Sequence, residues 1–91
     1  MFETAIEKAQ AQIHKLRDAR TELEAKAEAA GAELAKLREG AGEAELAAIL
    51  EGIEVGPIRA RAVELDMQIS GLAGARMALM KRIAAAEKAL Q

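Results

Sequence analysis

Residues 40–57 read GAGEAELAAILEGIEVGP, and this stretch decides whether the chain is a single rod or a hairpin. It holds four glycines and the only proline of the sequence. Glycine and proline are the strongest local interrupters of a helix, so an unbroken rod is disfavoured. The segments on either side have nearly equal length and the same kind of pattern. Two such helices joined by a compact connection fold back on each other as an antiparallel pair.

The pattern on each side is a heptad seam. The first runs Phe2, Ile6, Ala9, Ile13, Leu16, Arg20, Leu23, Ala27, Ala30, Leu34, Leu37. The second runs Ile58, Ala62, Leu65, Ile69, Leu72, Arg76, Leu79, Ile83, Ala86, Leu90. Every step is three or four residues, in alternation, which is the mark of helices packed along their whole length. The sequence therefore predicts an all-α fold of one domain over residues 1–91: an antiparallel, coiled-coil-like hairpin that assembles into a larger helical bundle. Its long helices are expected at about 3–39 and 57–89, with a short helix at about 43–51 in the connection.

The expected ends follow from local chemistry. Glu3 and Glu7 suit the positive end of the first helix dipole, and Lys36 and Arg38 the negative end. Gly40-Ala41-Gly42 is expected to stop that helix through a left-handed glycine cap. Pro57 suits the opening of the last helix, where its missing N–H costs nothing. Ile53 and Val55 are expected to plug the end of the bundle.

Each seam carries one arginine at a position meant for an apolar side chain. Arg20 and Arg76 are expected at nearly the same height, forming a polar layer. Unpaired buried guanidinium groups would cost several kcal/mol each. Pairing is expected with acids such as Asp18, Glu22, Glu24, Glu64 or Asp66, or with acids of another subunit. Such a layer would specify register or oligomer number, as polar a positions do in coiled coils.

The last helix also carries a second stripe, Val63, Met67, Ser70, Gly74 and Met77. Small residues recur four apart beside it: Ser70 with Gly74, Gly71 with Ala75, Gly74 with Ala78. Each glycine inside a helix costs about 1 kcal/mol relative to alanine. Close approach of a neighbouring helix is the usual compensation. The expected oligomer interface is accordingly Val63, Met67, Ser70, Gly71, Gly74, Ala75, Met77 and Ala78, with the first helix outside and the last helix nearer the assembly axis.

Composition narrows the function classes. Apolar residues make up 52% of the chain, about a quarter of the chain being alanine, and there is one aromatic residue, Phe2. Small methyl groups bury little area, so stability is expected to depend on a partner chain. Without aromatics there is no stacking platform for bases. The net charge of −2 is unevenly placed: residues 40–56 hold four acids and no bases, whereas residues 57–91 hold three acids and six bases. Acidic turns meeting basic helices between subunits would help set partner orientation. No nucleic-acid partner is expected.

Catalytic constellations are missing from the pattern. With no cysteine and a single histidine, His14, no transition-metal site is expected. The Glu-to-His spacing of a carboxylate-bridged centre is absent, since Ala11 and Arg17 occupy the places three residues to either side of His14. No phosphate loop with a lysine is present. Ser70, the only serine, has no base placed to activate it. The expectation is a non-enzymatic protein with no cofactor, no metal and no small-molecule substrate. No apolar run approaches the length of a membrane span, and Met1-Phe2-Glu3-Thr4 lacks a basic region followed by an apolar one. No membrane partner is expected, and the expected location is cytoplasmic or within a virion or other large particle.

Helical hairpins of this size occur among secretion-system effectors and their chaperones, and among small accessory proteins of virions. The Trp-x-Gly turn of the first group is absent: the turn here reads Gly52-Ile53-Glu54-Val55-Gly56-Pro57. The likeness is one of architecture, which says little about role. The sequence reading is a structural assembly protein that forms a homo-oligomer or repeated array, as in a phage or other large particle. The alternative is an adaptor or chaperone holding a partner's helix in a groove lined by Met67, Met77 and Met80.

Overall fold

The computed structural model describes residues 4–90. Three helices follow one another: α1 (Ala5–Glu39), α2 (Ala41–Glu51) and α3 (Gly56–Ala89). α1 and α3 pack against each other as the two arms of a hairpin, with α2 in the connection. The radius of gyration is 20.6 Å, against roughly 12 Å for a compact domain of this length. The molecule is a rod of 70 × 23 × 15 Å.

The start of α1 is fixed by a reciprocal cap. The Thr4 hydroxyl accepts from the Glu7 backbone N–H at 3.1 Å, and the Glu7 carboxylate accepts from the Thr4 N–H at 3.4 Å. Two otherwise unpaired donors are satisfied at once. Helix formation is described from Ala5; the expected start at Glu3 lies outside the described residues.

The break after α1 differs from the expectation. Gly40 has φ −82° and ψ −4°, a right-handed conformation, and its N–H still donates to the Lys36 carbonyl at 3.1 Å. The Ala44 N–H in turn donates to the Gly40 carbonyl at 3.0 Å. The expected left-handed stop at Gly40-Ala41-Gly42 therefore does not occur, and Ala41 and Gly42 belong to α2. Ladder hydrogen bonds bridge the joint and leave only a local irregularity at Gly40. At 1.5 Å per residue α1 measures about 52 Å and α2 about 16 Å. The 70 Å long axis needs both, so α2 prolongs the rod.

The true reversal follows α2. Gly52 is the one described residue with positive φ, at 68°, and its N–H closes the helix on the Ala48 carbonyl. An L side chain pays a steric penalty there, which explains glycine at this position. Pro57 is the second residue of α3, because Gly56 already has helical geometry. Of the two expected end plugs, Val55 is partly buried, whereas Ile53 remains half exposed.

The core follows the seams. Among the described residues the buried apolar side chains are Ile13, Leu16, Ala30, Leu34, Leu65 and Leu79, and all six are seam positions. Leu65 is buried most completely and lies with Ala30 and Leu34, flanked by Leu37, Ala62 and Ile69. Among the described residues no charged or polar side chain is buried.

Candidate interaction surface

The two seam arginines stay at the surface. The Arg20 Nε lies 3.1 Å from Glu24 Oε1, one turn along the same helix, and its side chain is 45% exposed. Arg76 is also exposed. A two-helix seam is open on both flanks, so a long side chain at position a lays its stem on the seam and leaves its head in water. Arg76 and Glu24 border the same recess, beside Leu23 and Ala27. Leu79 instead borders a recess with Ala19 and Leu23. Leu23 thus borders a recess shared with Arg76 and another shared with Leu79.

A depression lies between the arms here. With the Arg76 head turned outward and only Ala27 and Ala73 filling the neighbouring space, the helices enclose a recess of about 530 Å³. Its apolar wall is Leu23 from α1 and Ile69, Leu72, Met77 and Met80 from α3. Met77 and Met80, two of the three expected groove methionines, are among its lining residues. Met67 is not among them and is 71% exposed.

The expected interface stripe lies in the open. Val63, Met67 and Met77 are exposed, as are Ser70, Gly71, Gly74, Ala75 and Ala78. A β-carbon at Gly71 or Gly74 would meet no atom within 4 Å. Neither glycine is therefore explained by contact between α1 and α3. The same holds for Gly31 in α1.

Cross-helix ion pairs flank the seam, and sequence reasoning did not identify them. Arg61 holds Glu33 with two hydrogen bonds, Nε to Oε2 at 2.5 Å and Nη2 to Oε1 at 2.9 Å, and meets Glu64 at 3.1 Å. Arg38 reaches Asp66 at 3.5 Å, Arg17 reaches Glu87 at 3.1 Å, and Arg59 binds Glu45. The forked Arg61 contact is the strongest kind of such pair. Its hydrogen bonds hold the Glu33 carboxyl below its ordinary value, against the opposing effect of desolvation, and they raise the Arg61 guanidinium.

The sign of the resulting pH dependence follows from the lowered value. Glu33 contributes stability above the unfolded glutamate value of about 4.3. That contribution is lost as pH falls through the folded value. Glu33→Gln is expected to flatten the decline of stability below about pH 4.3, measured by urea denaturation at a series of pH values. An unchanged acid limb in the variant would show that the pair does not hold the two arms together.

The His14 ring is 81% exposed and lies 3.7 Å from Asp18. Among the described residues no three His, Cys, Asp or Glu side chains gather as a metal site. No helix among them is long and apolar enough to cross a membrane.

No family model, curated protein or solved structure matches the chain. Its surface must therefore be interpreted from its own residues. Among the described residues that surface includes an exposed apolar stripe on α3, an adjoining recess, and a polar margin formed by Arg20, Glu24 and Arg76.

Proposed function

We propose that this chain is a non-enzymatic assembly protein whose hairpins associate with one another through α3. The observation that carries this reading is the exposed stripe of Val63, Met67 and Met77, which continues at Met77 into the apolar recess. An isolated two-helix rod leaves such area in water at roughly 25 cal/mol per Å². A second hairpin laid against α3 would cover it and bring a helix close to Gly71 and Gly74. α3 would then face the assembly axis and α1 the outside. Such units build closed oligomers or repeated arrays of the kind found in phages and other large particles, in the cytoplasm or within the particle.

Sedimentation equilibrium over a range of concentrations tests the proposal. A defined oligomer that melts cooperatively supports it. A monomer at every concentration that gains helix only when a partner helix is added would overturn it in favour of the adaptor reading. That second reading is favoured by one feature, the flexible Met77 and Met80 side chains in the recess, which suit an adaptable contact.

The arginines supply a further expectation. In an assembled bundle a covering helix would desolvate the Arg20–Glu24 pair and Arg76. Changing Arg20 and Arg76 together to leucine is expected to preserve or raise helix stability and to alter the oligomer number or register. Mass measurement by light scattering reads the outcome, and an unaltered oligomer would remove the arginines from any specifying role.

A further inference from the structure

The outer face of α3 is ordered more strictly than an exposed face requires. Val63, Met67, Ser70, Gly74, Met77 and Lys81 follow one another in alternating steps of four and three. Ala60 precedes them, and Ala84 and Lys88 follow, in the same alternation. All of these residues are exposed. Helical spacing sets them across α3 from the buried Leu65 and Leu79. Such spacing is a second heptad seam, the surface that one helix offers to another. Its order is nearly the same from either end. Ser70 and Gly74 stand at the centre, Met67 and Met77 flank them, and Ala60 and Ala84 lie further out. The centre falls at Leu72, in the middle of α3 (Gly56–Ala89). A surface that reads alike in both directions fits a copy of itself turned about a two-fold axis.

The charges choose between the two ways of laying such copies together. In a parallel pair each seam position meets the same position of the copy. Lys81 would then meet Lys81, and Lys88 would meet Lys88. In an antiparallel pair centred on Leu72, Lys81 instead comes opposite Val63, beside Glu64. Lys88 comes opposite Gly56, two residues from Glu54. Among the described residues Lys81, Lys88 and Glu54 have no ion-pair partner within the chain. Glu64 meets Arg61 through one oxygen and is 69% exposed. On the flank of the seam Arg59 comes level with Glu87 of the copy. Arg59 also nears Lys88 of the copy, but Glu45 already holds it. Antiparallel packing thus sets opposite charges together where parallel packing sets like ones.

We propose that the occupant of this face is α3 of a second copy, running antiparallel, with the two-fold axis beside Leu72. The inference rests on the reading of α3 as the lateral contact, and it gives that contact an orientation and a register. Ser70 of each chain seats against Gly74 of the other, and Met67 against Met77. Small residues let two helix backbones approach closely where they cross. The long, flexible methionines fill the wider gap on either side of the crossing. Lys81 of each chain reaches Glu64 of the other, and Lys88 reaches Glu54. The contact is isologous, so it closes at two chains, with both α1 helices on the outside.

Thiol cross-linking of the full chain tests the proposal, since the sequence has no cysteine of its own. Met67→Cys and Met77→Cys change exposed positions, so the hairpin should keep its fold. Mixed and oxidised under native conditions, the two variants are expected to join through a disulfide between these positions. Each variant oxidised alone should stay unlinked. Its two thiols would stand about 15 Å apart along the axis, beyond the reach of a disulfide. In a second arm, Lys81→Glu should weaken association about tenfold by setting like charges together. Adding Glu64→Lys to that variant should restore it. Sedimentation equilibrium of the parent separates the ways of failing. Suppose the chain associates, but either variant cross-links alone, the mixture does not cross-link, or the charge exchange gives no rescue. The antiparallel register is then overturned and the lateral contact along α3 stands. A parent that stays monomeric at every concentration overturns both.

Discussion

Leu65→Ala is expected to cost about 2–5 kcal/mol of folding stability, the usual range for deleting a fully buried leucine side chain. Leu65 is 1% exposed and joins Ala30 and Leu34 in the centre of the packed cluster. Two of its neighbours, Ala30 and Ala62, are alanines with no longer side chain to swing into the space. The cavity should therefore persist, which is the condition under which such deletions are most costly. A chain of this length has about 5–14 kcal/mol of stability at typical values per residue. One substitution then removes a large share. Met67 provides the internal control: it lies two residues further along α3 and is 71% exposed. Met67→Ala should change the stability of the isolated hairpin by no more than about 0.5 kcal/mol. Urea denaturation followed by circular dichroism, at concentrations too low for association, compares the two. Equal losses would mean that the seam is not the source of stability.

The second large effect has opposite signs in the free and assembled chain. Gly71→Ala with Gly74→Ala is expected to stabilise the isolated hairpin by about 2 kcal/mol, since each glycine costs about 1 kcal/mol in a helix interior. There is room for both methyl groups, as a β-carbon at either position meets nothing within 4 Å beyond the adjoining backbone of its own helix. In the assembly the same methyl groups would push a neighbouring helix outward. The double variant should therefore melt at a higher temperature when dilute and associate more weakly when concentrated. Sedimentation equilibrium paired with thermal melts measures both quantities. A variant gaining stability without losing association would place the lateral contact elsewhere on the surface.

The seams were legible because a heptad pattern states its own geometry. All six apolar residues buried among the described ones occupy positions that spacing alone had marked. The hairpin was legible from the crowd of glycines and proline between them. The reciprocal cap at Thr4 and Glu7 was also available to sequence reasoning, as a threonine followed three residues later by glutamate ahead of an apolar run. The conformation of Gly40 was not available. Glycine permits a left-handed cap but does not require one, and only the position of the following residues reveals which occurs. The Arg61–Glu33 pair was hidden for a different reason: its partners are separated by 28 positions, and a cross-helix pair appears only once the register is set. Register also governs the arginine layer. A turn centred by counting residues sets Arg20 and Arg76 level, and in the packed hairpin Arg76 borders the same recess as Glu24, the acid that pairs with Arg20.

The recess has one more consequence, for how the rod comes apart. Along α1 the buried side chains fall in two groups, Ile13 with Leu16 and Ala30 with Leu34, and on α3 Leu79 and Leu65 are similarly separated. Between them lie Leu23, Ala27 and Leu72, all partly covered, and the outward-turned Arg76. The arms are clasped at two places and only loosely joined in the middle. Opening at the tip and opening at the chain ends are therefore expected to be separate events. Covering the recess would fuse the two clasps into a single cooperative unit.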